Sequence, residues 1–102
     1  MQALTRDEER EIARSLLISV YYQLAQELPF VEAIYIDPGA GLTIYTVYVG
    51  DLSDIEDTLY RAESEARKHA PHTGTMFRLL DGSQGEDLAG LPRSAQRVFS
   101  RG

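Results

Sequence analysis

Two neighbouring segments of the chain are apolar on both of their alternating faces, and this feature limits the fold more than any other. Residues 30–36 and 42–49 are rich in isoleucine, valine, tyrosine and threonine, and residues 37–41 between them have the composition of a turn. The pattern predicts a β-hairpin. A hairpin with one wet face would be polar at every second position. This one therefore predicts a sheet that needs cover on both faces.

The two faces of the predicted hairpin carry different residues. One face carries Phe30, Ile34, Ile36, Leu42, Ile44 and Tyr48. The other carries Val31, Ala33, Tyr35, Tyr45, Val47 and Val49. The first face holds more isoleucine, so we expect the helices of the chain to cover it.

Two segments with helical periodicity flank the hairpin. Thr5 and Glu8 have capping-box spacing and predict a helix from Arg6 to about Glu27. Its apolar residues span about half the circumference, more than the stripe of an ordinary surface helix. Ser53 and Glu56 predict a second helix over residues 54–69. We expect these residues of the helices and strands to be buried: Leu16, Leu24, Ile34, Ile44, Leu59 and Phe77.

The rest of the chain predicts a third strand and one short closing element. Residues 75–80 form the strand, so the second helix becomes a crossover between parallel strands. Residues 91, 95, 98 and 99 have helical spacing, and a strand over 97–100 is the alternative. The predicted fold class is α+β, an α/β two-layer sandwich of order α-β-β-α-β plus a short helix or strand. Its small mixed sheet has the helices on one face.

Composition narrows the classes of function. A chain of 102 residues predicts a single α/β domain over residues 1–102. It has no cysteine, no signal peptide at its start and no apolar run near the roughly 20 residues of a membrane span. These features predict a soluble, cytoplasmic protein without membrane contact. The net charge of −6 argues against non-specific binding to nucleic acid.

The sequence predicts no catalytic residue, no cofactor and no metal. His69 and His72 have metal-ligand spacing, but Pro71 lies between them where the helix ends. Asp81, Ser83 and Asp87 alternate as in a calcium loop, yet the required glycine and glutamate are missing. Both segments are interpreted as ordinary surface.

The C-terminus is basic, with Arg93, Arg97 and Arg101 and no acid among residues 93–102. These arginines are either solvated or paired with the acidic second helix, and we favour the pairing. Residues 91–99 resemble the close of some short bacterial proteins, a stretch too short for a function to be carried over. Tyr35, Tyr45 and Tyr48 also have the residue type of a base-stacking platform, but no basic residue lies beside them in the sequence.

The leading functional hypothesis is a non-catalytic, self-associating protein-interaction module. If the helices cover the first face, the second stays open, and it would meet a second copy or another protein. The interface candidates are Val31, Tyr35, Tyr45, Val47, Val49, Leu17 and Tyr21. The C-terminal segment folding back within one chain is the rival explanation. The alternatives are a small enzyme or ligand-binding domain with an acid- and tyrosine-lined cleft, and a nucleic-acid accessory protein that uses the C-terminal arginines.

Overall fold

In the part of the chain that the structure describes, two helices pack against a mixed four-stranded sheet. The structure, a computed structural model, describes residues 5–39, 41–71, 73–84 and 90–101. The elements are α1 (Arg6–Gln26), β1 (Val31–Asp37), β2 (Thr43–Tyr48), α2 (Leu52–Arg67), β3 (Met76–Asp81), a 3-10 turn (Gly82–Gln84) and β4 (Gln96–Ser100). This confirms the predicted α+β class and resolves the closing element as a strand.

The sheet has the order β3-β2-β1-β4. β1 pairs antiparallel with β2 and with β4, and β2 pairs parallel with β3 across the α2 crossover. β3 and β4 therefore lie at opposite edges of the sheet. None of the helices in the described ranges combines the length and the apolar character that crossing a membrane requires.

Side-chain oxygens begin both helices. Thr5 accepts a hydrogen bond from the backbone amide of Glu8, as predicted for α1. The cap of α2 is Asp51 and not the predicted Ser53, because the Asp51 carboxylate accepts from both the amide and the hydroxyl of Ser53. These two hydrogen bonds lower the pKa of Asp51. The helix therefore starts two residues earlier than expected.

The core lies between the helices and one face of the sheet. Leu17, Tyr21 and Ala25 of α1 are fully buried there, and the Tyr21 hydroxyl shares a buried hydrogen bond with Thr46 of β2. Burial raises the pKa of Tyr21 well above its usual range, so the hydroxyl stays protonated. Core members from the strands and α2 include Val31, Ile34, Ile44, Tyr48, Ile55, Leu59 and Ala66.

Two predicted core residues lie outside the core. Leu16 is 49% exposed and Leu24 38%, whereas Ile34, Ile44 and Leu59 are buried as predicted. Phe77 is partly buried, with its ring 5.0 Å from that of Tyr21. The prediction that Leu16 is buried is wrong, because a single covering layer buries only about 100° of the circumference of a helix. The covered arc is centred on Leu17 and leaves the neighbouring edge in solvent.

Candidate functional site: the helix-free face of the sheet

One row of side chains crosses the whole sheet on the face opposite the helices. Register pairs Arg97 of β4 with Tyr35, Tyr35 with Tyr45, and Tyr45 with Arg78 of β3. Side chains paired in register lie on the same face of a sheet, about 5 Å from their neighbours. The four residues form the sequence Arg–Tyr–Tyr–Arg across four strands, here called the Arg–Tyr row.

The Arg–Tyr row lies at the border between covered and open parts of this face. On one side, Val47 is only 4% exposed, because Gly82 packs against it. Leu80, the partner of Val47 in β3, is contacted by Gly90. On the other side, Met76 is 49% exposed. Within the row, Tyr45 is buried, Tyr35 is partly buried, and both arginines are exposed. Tyr35 and the two guanidinium groups are therefore within reach of a ligand.

The cations of the Arg–Tyr row are not neutralised by the described part of the chain. No carboxylate oxygen of those residues lies within 4.0 Å of Arg78 or Arg97. Asp37 lies on the same face, but its carboxylate accepts a hydrogen bond from the amide of Gly39. A tyrosine ring offers a surface for stacking a planar ring, and arginine binds phosphate through its planar fork of donors. The row thus combines the two groups that recognise a nucleotide.

Most of the predicted interface residues are buried within a single chain. Leu17 and Tyr21 belong to the core, and so does Val31. A β-bulge after Val31 turns this residue to the helix side, opposite Tyr48. Tyr45 and Val47 are buried on the other face, and Tyr35 and Val49 are partly covered. Self-association stays a prediction, but the surface on which it was argued is largely buried.

The connection between β3 and β4 supplies cover that the interface hypothesis assigned to a partner. Gly82 and Gly90 of this connection lie against the helix-free face. The rival explanation, in which the C-terminal segment folds back over this face, is wrong for residues 96–100, because they pair with β1 as strand β4. Phe99 lies opposite Ile34 on the helix side and contacts Tyr22 edge-on.

The three C-terminal arginines have different environments. Arg101 donates from Nε to the carbonyl of Val31 at 2.9 Å and from its terminal nitrogen to those of Gln26 and Leu28 at 2.8 and 2.9 Å. It therefore binds the end of α1, and the predicted pairing with the acidic α2 is wrong for it. Arg97 belongs to the Arg–Tyr row, and Arg93 is exposed.

A tyrosine and two acids, Tyr48, Asp51 and Asp81, lie near one another where β2 and β3 end. Burial raises the pKa of Tyr48, and the carboxylates of Asp81 and Asp51 raise it further. Asp51 caps α2, and Asp81 accepts hydrogen bonds from the amide and hydroxyl of Ser83. Because both carboxylates have these backbone partners, the group is explained as local structure.

Among the described residues, no three His, Cys, Asp or Glu side chains come together as a metal site would need. His72 and the residues of the calcium-like loop beyond Gln84 lie outside the described ranges, so the absence of a metal stays a prediction.

Arg78 was not among the predicted site residues, although the sequence contains a signal for it. Residues 75–80 were predicted as a strand, and Phe77 and Leu79 were the obvious inward positions. Period-two alternation then places Arg78 on the opposite face, beside the tyrosines of β2. The missing information was which strand neighbours β2. No basic residue lies beside the tyrosines along the chain. Across the sheet, however, Arg97 lies beside Tyr35 and Arg78 lies beside Tyr45.

Comparisons with known proteins give one likeness of fold. No protein-family model matches the chain, and no curated protein matches it. A crystal structure from Sulfolobus solfataricus, described as a putative nucleotidyltransferase, has a TM-score of 0.58 to this chain at 13% sequence identity. The alignment covers 98% of this chain and 91% of the other. At this identity the likeness shows a shared fold.

This likeness corrects the leading hypothesis from the sequence. The non-catalytic interaction module predicted from the sequence is contradicted by this likeness to a protein described as a putative nucleotidyltransferase, whereas self-association is untested and stays a prediction. That module also required an open apolar face, and on this face Gly82 lies against Val47 and Gly90 against Leu80.

Proposed function

We propose that the chain binds a nucleotide on the helix-free face, with the base stacked on Tyr35 and the phosphate held by Arg97 or Arg78. The Arg–Tyr row is the single observation that carries the proposal, since it places an accessible ring between two cations that no carboxylate of the described residues pairs. The likeness to a protein described as a nucleotidyltransferase supports a nucleotide over other ligands with a ring and an anionic group.

The residues of the row have separable roles. Tyr45 is buried beside Tyr35 and keeps that ring in place, so it is a positioning residue. Tyr35 provides the stacking surface. Arg97 lies directly beside it, and Arg78 lies two strand spacings away, roughly 10 Å. Arg97 is therefore assigned to the phosphate nearest the base, and Arg78 to a more distant one.

The test is calorimetric titration with a nucleoside monophosphate at low ionic strength. The parent chain should bind saturably, and Tyr35→Ala should weaken binding about tenfold or more through lost stacking. Tyr35→Phe should bind like the parent, because the ring remains. Arg97→Gln should also weaken binding about tenfold, since one charge-assisted hydrogen bond to phosphate is lost.

Arg61→Gln is the matched control, because Arg61 is an exposed arginine of α2 in the helix layer. It removes the same charge and should leave binding within about twofold of the parent. A parent that shows no saturable binding up to about 1 mM would contradict the proposal. So would an Arg61→Gln variant that loses as much affinity as Arg97→Gln.

The overall charge sets a second expectation. A chain of net charge −6 repels a polyanion at long range. A single-stranded oligonucleotide should therefore bind no more tightly than the monophosphate under the same conditions. Much tighter binding of the oligonucleotide would indicate that the ligand of this face is a nucleic acid and not a free nucleotide.

A further inference from the structure

The inward face of α1 changes character along its length. Leu17, Tyr21 and Ala25 lie four residues apart on the side that faces the sheet, and all three are fully buried. The same row continues towards the N-terminus, at the same spacing or one residue less, with Arg14, Arg10 and Arg6. Three arginines thus occupy the core-facing side of the first turns, where a helix ordinarily places apolar residues.

These first turns face a groove and not the sheet. The groove has a volume of about 570 Å³ and lies between α1 and the segment that follows α2. Arg6, Glu9 and Arg10 line it from α1, and His69 and Thr73 line it from the other side. Glu9 is the one carboxylate among these lining residues, so the described lining of the groove is cationic.

The three arginines lack counter-ions in the described ranges. No carboxylate oxygen there lies within 4.0 Å of Arg6, Arg10 or Arg14, although acids outnumber bases by 16 to 10 in the sequence. Arg14 Nε is buried and has no hydrogen-bond partner. A buried donor without an acceptor is rare and costly in proteins. Arg14 is not among the residues that line the groove, so its buried Nε is no part of the site, whose cationic donors are the exposed guanidinium groups of Arg6 and Arg10.

We infer that this groove binds a small phosphate-bearing anion with more than one phosphate group. Arg6 and Arg10, the two arginines that line the groove, lie about 6 Å apart along the helix. A single phosphate would meet one guanidinium, whereas an anion with two or three phosphate groups can meet both. The guanidinium fork binds phosphate bidentately, which favours arginine over lysine in such a site. His69 adds a polar group on the opposite wall, whereas the Thr73 hydroxyl there already donates to the carbonyl of Ala70.

The groove is independent of the Arg–Tyr row. It lies in the helix layer, whereas the row lies on the face of the sheet opposite the helices. The described lining of the groove contains no phenylalanine, tyrosine or tryptophan, and the His69 imidazole is its one aromatic ring, so we expect the groove to select for charge more than for a base. A ligand without a nucleobase therefore tests the groove alone.

The test is calorimetric titration with sodium tripolyphosphate at low ionic strength. The parent should bind saturably, and the double variant Arg6→Gln/Arg10→Gln should lose about tenfold or more in affinity. The control Arg61→Gln/Arg93→Gln removes the same two charges from exposed positions and should change affinity less than about threefold. Tyr35→Ala should have no effect on tripolyphosphate binding.

Two further variants keep the outcome decisive. Arg10→Lys retains the charge without the fork and should give an affinity between the parent and the double variant. If circular dichroism shows that the double variant does not fold, Arg6→Gln replaces it, because Arg6 is exposed. Absence of saturable binding by the folded parent would overturn the inference. Equal losses in the groove variants and the control would also overturn it.

Discussion

Single polar residues link elements that lie far apart in the sequence. α1 has no basic residue in its last turn, so its own sequence leaves the negative end of the helix without a cation. Arg101, more than 70 residues away in the chain, supplies it through the carbonyls of Gln26 and Leu28. Its guanidinium also lies 5.3 Å from the centre of the Phe99 ring. One arginine therefore ties the C-terminus to the end of the first helix.

Replacing Arg101 should reduce stability. Arg101→Ala removes three hydrogen bonds from a charged donor to backbone carbonyls. We expect a loss of about 1–3 kcal/mol in the free energy of unfolding, measured by urea denaturation. Arg93→Ala is the control, because Arg93 is exposed and belongs to the same basic segment. Equal midpoints for the two variants would show that the Arg101 hydrogen bonds contribute nothing.

The raised pKa of Glu63 predicts that its contribution to stability depends on pH with the opposite sign to that of a carboxylate in an ion pair. Burial raises the pKa of Glu63 above its ordinary value of 4.5, and the nearby Arg67 lowers it by less. Between the unfolded and folded pKa values the folded chain binds more protons, so the group's stabilising effect is lost as pH rises through them. Ionised Glu63 therefore destabilises the fold at neutral pH.

Glu63→Gln should raise the melting temperature at neutral pH. The gain should shrink as pH falls towards about 4, where the parent carboxyl becomes protonated in both states. Glu11→Gln on the exposed side of α1 serves as the control. Thermal melts of the three proteins at both pH values check this. A gain that is equal at the two pH values would mean that ionisation of Glu63 is not its cause.

At the scale of elements, the connection after β3 requires a close approach to the sheet. An added Cβ at Gly82 would lie 2.9 Å from Val47 Cγ1 and 3.1 Å from the carbonyl oxygen of Tyr48. Both neighbours belong to buried β2, which cannot shift easily. Glycine is therefore needed here for space, and it allows the 3-10 turn to cover Val47.

Gly82→Ala should lower stability by about 1–3 kcal/mol, the usual cost of overpacking. Gly41→Ala is the matched control, since its added Cβ would meet only an ordinary contact of 3.6 Å. Melting curves of both variants test this. If Gly82→Ala melts like Gly41→Ala, the turn is not packed against the sheet as described.

The elements differ in how far the sequence determines them. The bounds of α1 were predicted within one residue, because Thr5 caps one end and Pro29 limits the other. The buried face of α1 was not predicted correctly. Its apolar residues cover half of the circumference, so periodicity alone cannot decide whether Leu16 or Leu17 faces the sheet. β4 was ambiguous because residues 91–99 fit a helical stripe as well as a strand. Pairing with β1, a non-local interaction, decides for the strand.

At the scale of the whole molecule, the two-sided hairpin was the right guide to the fold and an incomplete guide to function. It correctly required cover on both faces, and α1 and α2 supply one cover. The second cover is partial and comes from the chain itself, which leaves the Arg–Tyr row at its border. Neither that row nor the arginine groove is visible along the sequence. Each depends on residues that only strand order or helix packing brings together.

Backbone amide chemical shifts, recorded while a nucleoside monophosphate is added, test the central claim most directly. We expect the largest changes at Tyr35, Tyr45, Arg97 and Arg78 and their strand neighbours. The first turns of α1 should change little, because the groove between α1 and the segment after α2 is proposed to bind an anion with more than one phosphate group, and a monophosphate has one. Shifts confined to α1, or no shifts at a nucleotide concentration of about 1 mM, would contradict a nucleotide site on the helix-free face.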